Sequence, residues 1–209
     1  MVTARGCGSN EAVEVSAATG SMSDRDLWNL SADGDQDAFA EMFHRHAQRV
    51  WNQAYRLCGS WDQAEDLSAA TFLLAWRRRG AVALVNDSAL PWLLAVVSNL
   101  ARDEMRGLRR RDKLLRRIPP PTPIDDPAEA VVVRLSDRSE GGDLRRALAA
   151  LPEAQRRAVE LCLVAELSTA DAAAALGISE ATIRSNLSRG RARLRDALTT
   201  LRARQEKTR

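Results

Sequence analysis

Strand-forming material is scarce in this sequence. Runs of Val, Ile, Thr and Tyr are few, whereas Ala, Leu and Arg dominate, a balance that favours helices over sheets. Cysteine is equally thin: Cys7, Cys58 and Cys162 are odd in number, widely spaced and without a C-x-x-C pair, which argues against a disulfide framework or a zinc site. Cys58 and Cys162 lie among apolar helical neighbours and read as buried free thiols; Cys7 is the candidate for redox sensitivity. No stretch approaches the ~20 apolar residues of a membrane span. The N-terminus lacks the basic-then-apolar order of a signal peptide, so no membrane insertion and a cytoplasmic location are expected. Histidine is limited to His44 and His46 on one amphipathic segment. No nucleophile or metal set converges on them, so no catalytic residue, metal or cofactor is expected.

What is present is a soluble, core-forming composition: 45% hydrophobic and 28% charged over 209 residues, enough for two small domains. The net charge of +3 hides a strong pattern. Residues 106–117 hold seven basic residues and one acid, and residues 179–209 hold nine basic and three acidic. Between them, 118–143 holds two basic and six acidic. Two basic blocks separated by an acidic stretch suggest two contacts with a polyanion.

Start and stop signals divide the chain. Residues 1–22 are small and polar and read as a disordered tail. Ser23 before Asp24 and Asp26 opens a short helix that Gly34 breaks. A second helix carries Phe39, Met42, Phe43, Val50, Ala54 and Leu57 at helical spacing and ends at Gly59. Ser60 caps a third, whose stripe is Ala64, Leu67, Thr71, Leu74 and Ala75, widened by Phe72 and Trp76; Arg77, Arg78 and Arg79 suit its negative end. After a loop through Asn86 and Asp87, Ser88 and Pro91 open a fourth helix lined by Trp92, Leu93, Val96, Val97 and Leu100. Five prolines between Pro119 and Pro127 forbid its continuation, and Gly141 and Gly142 close a linker. Beyond it, one helix bears Leu144 to Leu151, and another runs from Pro152 through Val164. The expected fold is all-α: a helical domain over 23–117, a flexible Pro-rich acidic linker over 118–142, a helical domain over 143–200 and a basic tail over 201–209.

Ser168 to Arg195 reads as a helix-turn-helix: a short capped helix, Gly177 for the left-handed turn, then an Arg-rich helix capped by Ser179. Ala173 and Ile178 supply the small residue and the apolar plug, and Thr182, Ile183, Leu187 and Leu194 mark the inner face of the second helix. In a major groove, Arg184, Ser185 and Asn186 would be nearest the base edges, where Arg suits guanine and Asn suits adenine. Arg189, Arg191 and Arg193 suit phosphates. In the first domain, the stretch AEDLSAATFLLAW sets Asp62, Glu65 and Asp66 beside an apolar stripe, a face for a basic partner helix. PWLLAVVSNLARDEMRGLRRR couples a Trp-anchored helix to a polar and basic tip, as a single-strand binder needs.

With RLCGS, AEDL with TFLLAW, WLLAVVSNLARD, a Pro-rich linker, ALAALPEAQR, a helix-turn-helix and SEATIRSNLSRGRARL in this order, the chain resembles the extracytoplasmic-function branch of the sigma-70 family over about residues 24–200. The resemblance implies a first domain like sigma region two, gripping the coiled coil of the largest subunit of core RNA polymerase through Asp62, Glu65, Asp66 and Leu67. It implies −10 recognition by Asn86, Asp87, Trp92, Asn99, Arg102, Arg106, Arg109 and Arg110. The last domain resembles region four, reading −35 DNA through Ser179, Thr182, Arg184, Ser185, Asn186, Arg189, Arg191 and Arg193 and touching the polymerase flap. Promoter DNA and an anti-sigma factor are the further partners implied, with no catalysis by the chain itself. Ala69 and Ala70 replace the usual Gln-Glu, Ala172 and Ala175 replace larger aliphatics, and Asn186 and Ser188 stand where Arg and a ring or basic residue are commoner. The rival reading is a DNA-binding regulator with a region-four-like domain that does not act as sigma. An interaction-only adaptor is a weaker third.

Overall fold

The computed structural model describes residues 22–85, 87–115 and 140–206. Within them lie α1 (Asp24–Ala32), α2 (Gln36–Cys58), α3 (Trp61–Arg78), α4 (Leu90–Leu115), α5 (Glu140–Ala150), α6 (Glu153–Val159), a π-helical turn (Glu160–Val164), α7 (Thr169–Leu176) and α8 (Glu180–Glu206). No strand occurs among the described residues. Asn86, the Pro-rich linker and Cys7 fall outside them.

Side-chain caps set the helix starts. Ser23 Oγ accepts from the Asp26 amide, Asp35 Oδ1 from the Asp37 and Ala38 amides, Ser168 Oγ from Asp171 and Ser179 Oγ from Thr182. Each satisfies an amide that the helix leaves unpaired and contributes about 1 kcal/mol. The helix-turn-helix closes at Gly177, whose φ of 64° is the left-handed conformation that a side chain resists. A Cβ at Gly190 on α8 would come 2.7 Å from Val159 Cγ2, so glycine there lets α8 lie close on α6.

Two boundaries and one helix type differ from the sequence reading. Gly141 and Gly142 belong to the first turn of α5 rather than to the linker. α8 continues to Glu206, where Leu, Arg, Ala and Gln sustain a helix and neither Gly nor Pro stops it. The helix expected from Pro152 through Val164 does end at Val164, but it widens into the π turn after Val159, and Glu166 just beyond it has a φ of 61°. Glu160 O accepts from the Ala165 amide within this turn and also from Gln53 of the first domain, and Val164 O at its end accepts from Arg56.

In the first domain, α2, α3 and α4 pack together with α1 laid across α2; in the second, α6 and α7 pack on α8. Leu27, Met42, Val50, Leu93, Leu94 and Val97 are fully buried in the former, Leu161 and Ile183 in the latter. Each stabilises its domain by roughly 1.5–3 kcal/mol. Ile178, read as the apolar plug, is 41% exposed, whereas Ile183, expected on the inner face, is fully buried. Thr182, assigned to the inner face, is exposed, and its hydroxyl pairs with Ser179 Oγ at 2.8 Å. Cys58 and Cys162 are free but only half-buried, and burial pushes both thiols up from their ordinary pKa.

The two domains touch. α4 is buried on nearly all sides from Pro91 to Ser98, because α2 and α3 cover one face and α7 and the π turn another. A helix buried all round reads as apolar all round, which is the character of PWLLAVV. Polar groups stitch the interface. Gln53 Nε2 donates to Glu160 O (3.2 Å), Arg56 to Val164 O (2.6 Å) and Arg49 to Ala165 O (3.3 Å), and within the first domain Gln53 Nε2 also donates to Ser98 Oγ (3.2 Å).

Candidate nucleic-acid and polymerase interfaces

On α3, Asp62, Glu65, Asp66, Ala69, Ala70 and Leu73 are exposed. Their spacing places them along one side of the helix, acidic at its N-terminal half and apolar beyond. Small Ala69 and Ala70 leave that side low enough for another helix to approach. Leu67, given a polymerase contact by the resemblance but placed in the apolar stripe by its spacing, is 5% exposed and belongs to the core, so it supports the helix rather than facing a partner. The sequence reading missed the aromatic cluster at the helix start. Trp51 stacks on Tyr55 (5.3 Å between centroids) and packs against Trp61 (4.5 Å). Trp61 Nε1 donates to Glu65 Oε1 at 2.8 Å, which holds one of the exposed acids in place. The five tryptophans were the available signal.

The second surface is the loop before α4 and that helix's polar side. Asp87 is exposed and pairs with Arg25 at 3.2 Å. Trp92 packs edge-on against Trp28 at 5.4 Å. Asn99 is half-buried, and its carbonyl accepts from Arg102. Arg102 itself is only 7% exposed: its Nε donates to Ser98 O and lies 3.6 Å from Glu160 Oε2 of the second domain. In this arrangement Arg102 is therefore closed off from DNA. Glu160 is 3% exposed. Burial pushes its carboxyl up to about 7 despite Arg102, Arg156 and Arg157. Arg106 is exposed, pairs with Asp103 and lies 3.9 Å from Glu153 across the interface. Arg110 is exposed, whereas the Arg109 side chain falls outside the described residues.

One buried acid was missed as a site residue and read only as a helix-start signal. Asp24 accepts from His46 Nε2 at 2.6 Å, the Ala89 amide at 2.9 Å, Ser88 Oγ at 3.1 Å and Arg45 at 3.3 Å. Burial alone would raise its pKa, but the hydrogen bonds from His46, Ala89 and Ser88 outweigh it and hold the carboxyl well below the usual carboxylate range.

On the third surface, α8 follows Ser179 with Arg184, Arg189, Arg191, Arg193 and Arg195 exposed. Arg184 lies 3.6 Å from Glu180, and Glu180 also accepts from Thr169 at 2.6 Å, which ties α7 to α8. Arg184, Ser188, Arg191 and Arg195 line an open groove of about 500 Å³ with Thr169. Arg189 instead donates to half-buried Ser185 at 2.6 Å, one turn before Arg193. Asn186 is half-buried beside them. The cations thus fall on two stripes, and Arg195, absent from the sequence-based set, joins the first.

Two separate helical modules, the second a helix-turn-helix with a cationic outer helix, are the architecture of a sigma-type DNA-binding protein. Family models agree: "Sigma-70 region 2" matches residues 42–111 and "Sigma-70, region 4" matches residues 142–194. The chain is 36% identical over 177 residues to the ECF RNA polymerase sigma factor SigE of Mycolicibacterium smegmatis, covering 81% of this chain and 66% of that protein. It is 36% identical over 166 residues to the RNA polymerase sigma factor CarQ of Myxococcus xanthus, covering 79% and 92%. Among solved structures, the sigma factor RpoE in complex with the anti-sigma factor NepR from Bartonella quintana aligns with a TM-score of 0.52 at 26% identity, over 77% of this chain and 96% of that one. The chain belongs to the extracytoplasmic-function sigma factors of the sigma-70 family.

Proposed function

We infer that this chain is an initiation factor that binds core RNA polymerase and directs it to promoters by recognising −10 and −35 elements. The observation that carries this is the presence of both modules, in order, in one chain. A regulator that used only the helix-turn-helix would have no need of the first module. The acidic and apolar side of α3, with Asp62, Glu65 and Asp66, is the surface for the polymerase coiled coil. The loop through Asn86 and Asp87, with Trp92, Asn99, Arg102, Arg106, Arg109 and Arg110, is the −10 surface. Ser179, Thr182, Arg184, Ser185, Asn186, Arg189, Arg191 and Arg193 form the −35 surface, to which the groove adds Arg195. The chain acts by binding, without catalysis, in the cytoplasm with the polymerase. No described helix is long and apolar enough to cross a membrane.

Because Glu160 covers Arg102, engagement of −10 DNA by Arg102 requires the second domain to swing away. An anti-sigma factor that held the domains together would keep that surface closed; the relative solved with an anti-sigma factor supports such a partner. The test is in vitro transcription with purified core polymerase on a promoter library. Promoter-specific transcripts that depend on the chain support the reading. Specific duplex binding by the free chain, with no transcripts, would favour the regulator.

A further inference from the structure

We propose that α1 is a clamp that sets the shape of the −10 reading loop, with Asp24 as its central positioning residue. The proposal rests on the reading of that loop as the −10 surface. The Ala81 and Val82 amides donate to Arg78 O, but residues 81–85 and 87–89 otherwise have no regular secondary structure beyond turns and bends, so side chains elsewhere contribute to fixing their path. α1 supplies them on both sides of position 86. Before it, Trp28 Nε1 donates to Val82 O at 2.8 Å and Arg25 to Val85 O at 3.3 Å. After it, Arg25 pairs with Asp87, and Asp24 accepts from Ser88 Oγ and the Ala89 amide.

The Asp24 contact reaches across 65 residues to the start of α4. The Leu93 amide donates to Ala89 O, so Ala89 stands at the entry to the helix, where amides lack intrahelical partners. A carboxylate there satisfies one of them and complements the positive end of the helix dipole. Asp24 is itself fixed from α2 by His46 and Arg45, and the Arg45 guanidinium also holds Met22 O and Glu41. Trp28 adds its edge to Trp92, the aromatic residue of the reading surface. The loop is therefore bound to a buried, multiply held anion. This helix lies before residue 42, where the region 2 match begins.

A pre-shaped loop reads bases because its polar groups need no reorganisation when a base arrives. A loop released from α1 would still connect α3 to α4 yet lose discrimination. The experiment uses holoenzyme formed from core polymerase and the full chain. Variants Asp24→Asn, Asp24→Ala and Arg25→Ala are compared with Asp87→Ala in the loop. Three quantities are read: −10 selectivity on a randomised promoter library, −35 selectivity, and affinity for core polymerase. Asp24→Ala is expected to flatten −10 discrimination by about tenfold, the effect of roughly one charge-assisted hydrogen bond. Core affinity and −35 selectivity should stay within about twofold of the parent, which a merely structural lesion would not allow. Asp24→Asn, which keeps an acceptor oxygen, should recover part of the loss. Arg25→Ala removes only exposed contacts and cannot unfold the core, so it decides the matter if Asp24→Ala fails to fold; a narrower loss at −10 alone is expected. A selectivity shift with Asp87→Ala but none with Asp24→Asn or Arg25→Ala would overturn the clamp alone. No shift with any of the four would overturn the loop reading and the clamp with it.

Discussion

Replacing Glu160 with Gln should make the protein more stable at pH 8 and remove a pH dependence that the parent shows. Glu160 is 3% exposed at the domain interface. The groups facing it are Arg102 from α4 and Glu153, Arg156 and Arg157 from α6. Arg102 Nε stands 3.6 Å from Oε2, too far for a hydrogen bond, and Oε2 has no hydrogen-bond partner. The ion pair therefore returns less than desolvation removes, and the carboxyl moves from its ordinary 4.5 to about 7. At about 1.4 kcal/mol per tenfold change, the charged form is disfavoured in the closed, folded protein by about 3 kcal/mol. A group with a raised pKa binds its proton more tightly when folded. Its contribution is complete below about 4.5, declines as pH rises and is gone above about 7. The amide of the Glu160→Gln variant stays neutral throughout. Thermal melts of parent and variant at pH 5, 6.5 and 8 isolate this group from every other carboxyl. The variant should melt higher at pH 8, by up to about 10 °C for a chain of this size, and the difference should shrink towards pH 5. A variant that melts lower at pH 8, or whose difference ignores pH, would show that the Arg102 pairing outweighs burial and refute the reasoning.

Two further outcomes test the interfaces. Glu65→Lys with Asp66→Lys reverses charge on exposed α3 positions and should abolish co-purification with core polymerase while circular dichroism stays unchanged; retained co-purification would place the grip elsewhere. In the −35 helix, loss of a base contact costs about 1–3 kcal/mol at one base pair, whereas loss of a phosphate contact weakens all sequences alike. Arg184→Ala should therefore reshape −35 preference in a library selection, and Arg193→Ala should lower affinity uniformly and reduce its salt slope by about one. The opposite pattern would mean that the helix is docked differently.

The amino-acid order alone determined the local structure. Ser23, Ser60, Ser168 and Ser179 cap helices because a hydroxyl three residues before an amide can satisfy it without any help from the rest of the chain. Gly59 and Gly177 end helices because a left-handed turn excludes most side chains. Periodicity likewise marked the amphipathic helices, since an apolar stripe is a property of spacing, and the caps around Gly177 marked the helix-turn-helix. Tertiary structure decided what depends on approach from elsewhere. The resemblance assigns Leu67 and Arg102 to contact surfaces, but neighbouring elements cover both. Ile178 and Ile183 are both apolar and both expected inside; spacing places Ile183 correctly, and only packing shows that Ile178 stays 41% exposed. The π turn at Glu160–Val164 opens where Gln53 and Arg56 of the first domain take its carbonyls, partners more than a hundred residues away. Asp24 reads as an ordinary helix-start acid because its loop partners lie some 65 residues further on, and a hydrogen bond across that distance leaves no periodicity to read.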